Sequence, residues 1–150
     1  MPNQQHFELK ANWQGGLQGS GQLEAGGLTA AISVPVPLGG PGIGTNPEEL
    51  LLGAAATCYL ITLGTLLQRQ GIESVQLKSE IFVSTGTSMH VHKIIHRPVV
   101  TFPSFFSSEQ RDKLRKAAIR AEQTCMISKA LRGNVEVIVE PELLLADSSE

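Results

Sequence analysis

The sequence predicts an α+β fold, in which three short strands precede a long helix, followed by two strands, a second helix and a last strand. Three observations support this prediction. The first third of the chain is rich in glycine and in short apolar–polar alternations, which are typical of strands. An uncharged run over residues 50–67 indicates a long apolar helix, and alternating valines over 135–139 indicate a final strand. The length of 150 residues suits a single domain, 1–150.

The first strands are predicted at residues 6–13, 17–24 and 28–34. Glycine pairs at 15–16 and 26–27 separate them and are typical of hairpin turns. Residues 35–44 then hold three prolines and four glycines without any charged residue. This composition predicts a loop with unusual backbone angles.

The start of the long helix is strongly marked. Asn46 is a good N-cap, Pro47 fits the first helical position, and Glu49 completes a capping box with Asn46. We expect the helix to run to about Gln70, with Gly71 ending it. Because it is apolar nearly all round, it is predicted to be a buried central helix.

The same run is about as long as the shortest membrane-spanning helices. However, Glu48 and Glu49 flank one end and Arg69 alone the other, so no positive cluster marks a membrane boundary. A helix buried inside a folded domain explains the same apolar run without a membrane. We therefore expect no membrane association.

The second half of the chain alternates between strand and helix patterns. Strands are predicted at 75–83 and 89–102, with Pro98 arguing for an edge or an irregularity in the second. Ser107 or Ser108 should cap a second helix, and residues 128–131 should form a further turn before the last strand. One face of the second helix is apolar and carries Leu114, Ala118, Ala121 and Cys125.

Charge and composition limit the partners. Twelve basic residues face fourteen acidic ones, for a net charge of -2, and they are dispersed apart from a cluster at 111–120. The helical pattern there predicts a solvated face. No basic stripe is interleaved with aromatic residues, so nucleic acid is not expected as a partner. Residues 1–6 lack the features of a signal peptide, which predicts a cytoplasmic protein.

Cys58 and Cys125 are the only cysteines. In a reducing compartment two cysteines do not form a structural disulfide framework. They are either small buried hydrophobic residues or reactive thiols, and composition alone leaves both interpretations open.

Two motifs favour the reactive interpretation. The segment GTNPEELL at 44–51, followed by AAATC at 54–58, resembles the OsmC/Ohr family of osmotically induced and organic hydroperoxide resistance proteins. The segment AEQTCMISKAL at 121–131 resembles the second cysteine motif of that family. The separation of 67 residues between Cys58 and Cys125 is also similar. The chain is thus identified as an OsmC-like member, and the resemblance covers nearly its whole length.

The resemblance implies an OsmC-like fold, with antiparallel sheets around a long buried central helix, and an intertwined homodimer with active sites at the subunit interface. It implies that Cys58 is the peroxidatic cysteine and Cys125 the resolving one. The substrate is then an organic hydroperoxide, and an external dithiol restores the thiols without any cofactor. A thiolate attacks the peroxide, leaving a sulfenic acid that the second thiol converts to a disulfide.

Glu48 matches a family glutamate that orients an active-site arginine. Ten residues of straight helix separate Glu48 from Cys58 by about 15 Å. Either the helix breaks, or Glu48 serves the partner's site, or the arginine bridges the gap; alternatively, Glu48 is only a helix-start charge.

The arginine itself is missing from its expected place, because residues 1–68 contain none. Arg97, from a later strand, is predicted as a possible substitute activator of Cys58. Met126 stands where the family commonly has proline.

Histidines raise a further possibility. Strand alternation places His90, His92 and His96 on one face, where a pair could hold a metal with one more ligand. No acidic or thiol ligand lies near in sequence, so we expect no metal site. The alternative to a peroxidase is a non-peroxidase OsmC-like protein that binds a small apolar or thiol-bearing ligand at the dimer interface.

Overall fold

The computed structural model describes residues 3–147, which form two compact units, residues 3–50 and 51–147. The first unit contains an antiparallel sheet in the order β1-β2-β3, as the glycine turns predict. Its strands are β1 (Lys10–Gln14), β2 (Ser20–Ala25) and β3 (Leu28–Ile32). Each is shorter than its predicted span.

The loop after β3 has the unusual backbone angles that its composition predicts. A short 3₁₀ helix, Val36–Leu38, ends at Gly39 with φ of 92°. Gly44 has φ of 67°, and a Cβ there would lie 2.1 Å from the carbonyl oxygen of Ala31. Only glycine fits such a position. The Ser33 hydroxyl closes the loop by bonding both the N–H and the carbonyl of Ile43.

The long helix α1 spans Pro47–Gln68. The Asn46 side chain accepts a hydrogen bond from the Glu49 N–H at 2.8 Å, which is the first half of the predicted capping box. The Glu49 carboxylate instead accepts from the hydroxyl of Thr45, also at 2.8 Å. Gly71 follows with φ of 82°, in the left-handed conformation that ends helices.

Burial of α1 is confined to one face. That face carries Ala55, Tyr59, Leu63 and Leu67, all nearly inaccessible to solvent. On the opposite face Ile61 is 72% exposed. The predicted burial on all sides is therefore met on one side only. By length and composition α1 is apolar enough to cross a membrane, but its buried face packs into the core of the second unit.

The second unit contains a four-stranded sheet. It is built from β4 (Gln76–Ser84), β5 (His90–Phe102), β6 (Glu136–Val139) and β7 (Glu142–Leu145). β4 and β5 pair antiparallel, whereas β6 and β7 both run parallel to β5. This sheet departs from the antiparallel expectation because helices, rather than a hairpin, connect β5 to β6.

Pro98 lies where the neighbour of β5 changes. β6 pairs with β5 up to His96, and β7 takes over at Val99. Proline donates no hydrogen bond, so it fits this junction, which is the irregularity that the sequence predicts. β7 was not predicted, since leucines at 143–145 show no alternation.

Two helices connect β5 to β6. They are α2 (Ser108–Thr124) and α3 (Met126–Leu131). Ser107 caps α2 in a complete capping box with Gln110. The predicted apolar face of α2 is confirmed, because Leu114, Ala118 and Ala121 are fully buried with the inner face of α1.

Candidate redox site

The structure brings the two cysteines together. Cys58 lies in the middle of α1, and Cys125 occupies the single non-helical position between α2 and α3. Their side chains lie within hydrogen-bonding reach of each other, and both are free thiols. Cys125 is fully buried, whereas Cys58 is partly exposed.

The backbone around Cys125 explains its placement. With φ of −66° and ψ of 126°, Cys125 leaves the helical conformation, ending α2 and starting α3. Its sulfur accepts a hydrogen bond from the Ser128 N–H at 3.5 Å, as an N-cap side chain does. The first turn of α3 therefore presents its unpaired N–H groups beside the two sulfurs.

Opposing influences act on the pKa of Cys58. Burial is the largest single influence and works to raise the pKa, because it disfavours the thiolate. Hydrogen bonds to the sulfur oppose burial and together outweigh it, so that the pKa of Cys58 lies below its ordinary value. The donors are the Cys125 thiol, the backbone N–H groups of Ile127 and Met126, and the Thr62 hydroxyl.

The pKa of Cys125 moves in the opposite direction. Burial raises it most, and the hydrogen bond to Cys58 raises it further, because Cys125 must keep its proton to donate. The N–H groups of Ser128 and Ile127 offset part of this rise. The pair is therefore arranged so that Cys58 loses its proton more readily than Cys125, with the Cys125 thiol donating a hydrogen bond to the Cys58 sulfur.

Thr62 lies one helical turn beyond Cys58. Its hydroxyl donates to the Cys58 carbonyl oxygen at 2.8 Å and also lies near enough to the Cys58 sulfur to lower its pKa. Thr62 is therefore the smallest of the influences that lower the pKa of Cys58. Sequence reasoning missed this residue, although its i+4 spacing from Cys58 places it on the same face.

The helix face below Cys58 is fixed by Tyr59. Its ring stacks on the buried His96 ring, with centroids 4.6 Å apart and planes 12° apart. The Tyr59 hydroxyl donates to the Ala118 carbonyl at 2.8 Å, which ties α1 to α2. His96 Nδ1 hydrogen-bonds Ser79 at 2.6 Å, and burial lowers the pKa of His96 to about 4. The imidazole is therefore neutral at physiological pH.

Arg97 does not lie beside Cys58, and the prediction that it activates this cysteine is wrong. It follows His96 on β5, so its side chain lies on the opposite face of the strand from the Tyr59 stack. There its guanidinium pairs with Glu80 and, at 3.1 Å, with Glu140. Among the described residues, the influences on the pKa of Cys58 are burial and uncharged donors, without any guanidinium.

Glu48 lies on the same unbroken helix as Cys58. A helix break between them is therefore ruled out as the means of bringing them together. The Glu48 Oε1 atom is buried and accepts no hydrogen bond from any residue between 3 and 147. Its role stays a prediction.

The three histidines do not form a cluster. His90 and His92 are exposed with ring centroids 6.2 Å apart, whereas His96 lies in the core. Across residues 3–147, no group of three or more His, Cys, Asp or Glu side chains is placed to hold a metal ion.

With this geometry in place, comparison with known proteins identifies the family. A family model described as OsmC-like protein matches residues 39–140, which include both cysteines. The chain belongs to the OsmC-like protein family. The OsmC-like assignment made from the two cysteine motifs is therefore confirmed.

Curated relatives span nearly the same length as this OsmC-like chain. It is 45% identical to the uncharacterized protein YmaD of Bacillus subtilis, over 93% of this chain and 95% of YmaD. It is 29% identical to the organic hydroperoxide resistance protein OhrB of B. subtilis, over 89% and 96% of the two chains. The corresponding protein of Xanthomonas axonopodis is 26% identical, over 91% and 94%.

Solved structures share the OsmC-like fold. An OsmC-like protein of unknown function from Vibrio cholerae superposes with a TM-score of 0.73 at 22% identity, over 92% of this chain and 99% of that one. The crystal structure of B. subtilis OhrB gives 0.66 at 24% identity, over 91% and 98%. These similarities confirm the predicted α+β class.

Proposed function

We propose that this OsmC-like protein is a thiol-dependent peroxidase that reduces organic hydroperoxides to alcohols as part of an antioxidant stress response. The observation that carries the proposal is the thiol pair, in which hydrogen bonds lower the pKa of Cys58 and a neutral Cys125 lies within reach. Relatives named organic hydroperoxide resistance proteins support the same substrate class.

The proposed chemistry has three balanced steps. The Cys58 thiolate attacks the outer peroxide oxygen; the O–O bond breaks, the alkoxide takes a proton and leaves as the alcohol, and the sulfur becomes a sulfenic acid. Cys125 then attacks that sulfur, which forms the disulfide and releases water. An external dithiol reduces the disulfide by exchange and leaves as its own cyclic disulfide.

The uncharged donors around Cys58 lower its pKa, which is the effect that a nearby guanidinium would have. Proline at position 126 would have no N–H, but Met126 does, and that N–H is one of the donors to the Cys58 sulfur. Met126 and the missing upstream arginine are thus linked: the extra backbone donor compensates for the absent cation. This substitution was visible in the sequence, but its consequence was not.

A homodimer in the cytoplasm is part of the proposal. The outer face of α1 presents Ala54, Thr57, Ile61 and Thr65 to solvent in the single chain, and a partner subunit would cover it. The partner would also supply a donor for the buried Glu48 oxygen, which would place Glu48 in a shared site. Sedimentation should show a dimer that Ile61→Glu dissociates. Ile119→Glu, at a residue that is 49% exposed on α2, should leave the dimer intact.

The experiment that tests the peroxidase is a thiol titration after one equivalent of cumene hydroperoxide. We expect the rapid loss of two thiols per chain and the recovery of both after a dithiol is added. The Cys125→Ser variant should lose one thiol and form a sulfenic acid that dimedone traps. Retention of both thiols in the wild-type protein at neutral pH would refute the proposal.

A second candidate function is a non-peroxidase protein that binds a small apolar or thiol-bearing ligand. The observation that favours it is the absence of arginine from residues 1–68, which removes the cation that the family places near the peroxidatic cysteine. This candidate predicts that the Cys58→Ser variant still binds its ligand and that hydroperoxide does not consume thiols. The titration above separates the two functions.

A further inference from the structure

A cavity of about 250 Å³ lies between the last turn of α1 and the outer face of α2, away from the cysteine pair. Four cationic side chains line it: Arg69, Lys113, Lys116 and Arg120. Its floor is aliphatic, formed by Leu66 and Ala117. Gln70 donates to the Lys113 carbonyl at 3.4 Å and so ties the two walls together.

The charges of this cavity lack partners. Among residues 3–147, none of the four cations forms an ion pair with an acidic side chain. Elsewhere on α2 two ion pairs form, between Arg115 and Asp112 and between Glu122 and Arg132. These four side chains are a third of the twelve basic residues in a chain whose net charge is negative.

The spacing of these cations produces repulsion between like charges on α2. Lys113 and Lys116 are three residues apart on α2, and Lys116 and Arg120 are four apart, so that like charges face each other on one helical surface. Like-charge pairs at this spacing destabilise a helix. Arg69 adds a fourth positive charge from α1. A merely solvated face would not need four cations to converge on one concavity, whereas a bound anion would relieve their repulsion.

We propose that this cavity binds a small organic phosphate, with the phosphate held by the four cations and its apolar body on Leu66 and Ala117. Arginine and lysine recognise phosphate by charge-assisted hydrogen bonds, and arginine does so bidentately. The aliphatic floor calls for an organic body rather than a bare ion. The volume suits a small molecule. Without an aromatic side chain in the lining, the cavity offers no stacking platform for nucleic acid.

The test uses hexyl phosphate as the probe, with inorganic phosphate and hexanol for comparison, at constant ionic strength. Isothermal titration should show saturable binding of hexyl phosphate, weaker binding of inorganic phosphate and none of hexanol. Hexyl phosphate should also raise the Tm by several degrees. Absence of saturable binding at millimolar concentration would overturn the proposal, and so would equal binding of hexanol.

Variants distinguish a specific phosphate-binding site from nonspecific electrostatic attraction. Lys116→Gln with Arg120→Gln should weaken hexyl phosphate binding at least tenfold, while the ligand-free Tm stays at or above that of the wild type because repulsion is relieved. Lys78→Gln with Lys129→Gln removes the same charge from exposed positions outside the cavity and should leave binding unchanged. The single variant Lys113→Gln, which keeps the carbonyl bonded to Gln70, should weaken binding without unfolding the protein. Equal weakening by the control pair would overturn the proposal, as would selective binding to anionic vesicles without binding of soluble hexyl phosphate.

Discussion

Cys58 and Cys125 have the same side chain and contact each other, yet the structure shifts their pKa values in opposite directions. Cys58 lies in the interior of α1, where its own backbone N–H is already committed to the helix. Cys125 lies at a helix break and keeps its proton, because burial and the bond to Cys58 both favour the neutral thiol. The difference shows that the donors at the start of α3 matter most for the sulfur that faces them from another helix.

The comparison assigns different chemistry to each residue. In the proposed mechanism a thiolate is the nucleophile in both steps, and oxidation of Cys58 removes the hydrogen bond that helps to keep Cys125 protonated before its turn to react. The partly exposed position of Cys58 gives a peroxide access, whereas the full burial of Cys125 protects it.

Exchanging each sulfur for oxygen should have the largest effect. Cys58→Ser should lower peroxidase turnover by about a thousandfold or more, because the hydroxyl is not ionised at neutral pH. Cys125→Ser should retain the first reduction of hydroperoxide but accumulate Cys58 sulfinic acid, which intact mass spectrometry detects. If the two variants exchanged these phenotypes, the assignment of roles would be reversed.

The buried His96 in the core below Cys58 makes stability depend on pH in the acid range. Burial lowers the pKa of His96 to about 4, against about 6.5 in an unfolded chain. The unfolded state therefore binds more protons between these values, so stability is full above about pH 6.5 and is lost as pH falls toward 4. The loss should be about 3 kcal/mol, measured by urea unfolding at pH 7 and pH 4.

His96→Phe is the matched control for this measurement. It keeps a ring to stack on Tyr59 but cannot take up a proton, so its stability should change less between the two pH values. Parallel curves for variant and wild type would show that His96 is not the titrating group.

Removing one hydrogen-bond donor should narrow the difference between the pKa values of the two cysteines. Met126→Pro deletes an N–H that points at Cys58 while keeping the start of α3, since proline fits the first helical position. The pKa of Cys58 should rise, and its alkylation rate at neutral pH should fall, because less of the thiol is ionised. Met126→Ala keeps the N–H and should behave as the wild type. Equal rates in both variants would exclude the backbone donor.

The thiol of Cys125 is the strongest of the donors that lower the pKa of Cys58, and it is tested by a second pair of variants. Cys125→Ala removes the proton that Cys125 shares with Cys58, whereas Cys125→Ser retains an O–H. The pKa of Cys58 should therefore be higher in Cys125→Ala than in Cys125→Ser, as read from the pH dependence of alkylation. The reverse order would mean that Cys58 does not accept this hydrogen bond.

Local signals were the most informative part of the sequence. Asn46 and Pro47 predict the start of α1 to the residue, and Ser107 or Ser108 predicts that of α2 to within one residue, because caps depend on neighbouring residues alone. Alternation holds along β5 from Lys93 onward. It fails between Val91 and Lys93, where the register with β4 shifts, so His90 and His96 do not share the face that alternation predicts for them. It did not reveal which face α1 would cover, and for that reason Arg97 was expected beside Cys58.

The remaining features depend on contacts between distant segments. β6 and β7 each pair in parallel with β5, because two helices connect β5 to β6. The sequence contains no direct signal of strand direction. Two of the donors to Cys58 are backbone groups of Met126 and Ile127, which any residue except proline would supply. Only the departure from proline at position 126 hinted at them.

The central claim is that Cys58, and not Cys125, is the thiolate that reacts. The most direct measurement is the pH dependence of alkylation at each cysteine, followed by peptide mass mapping of the reduced wild-type protein. The account predicts that Cys58 titrates below the value of about 8.5 typical of a free cysteine and that Cys125 titrates above it. It also predicts that hydroperoxide oxidises Cys58 first. A Cys58 that titrates above Cys125, or that hydroperoxide leaves reduced at neutral pH, would contradict the account.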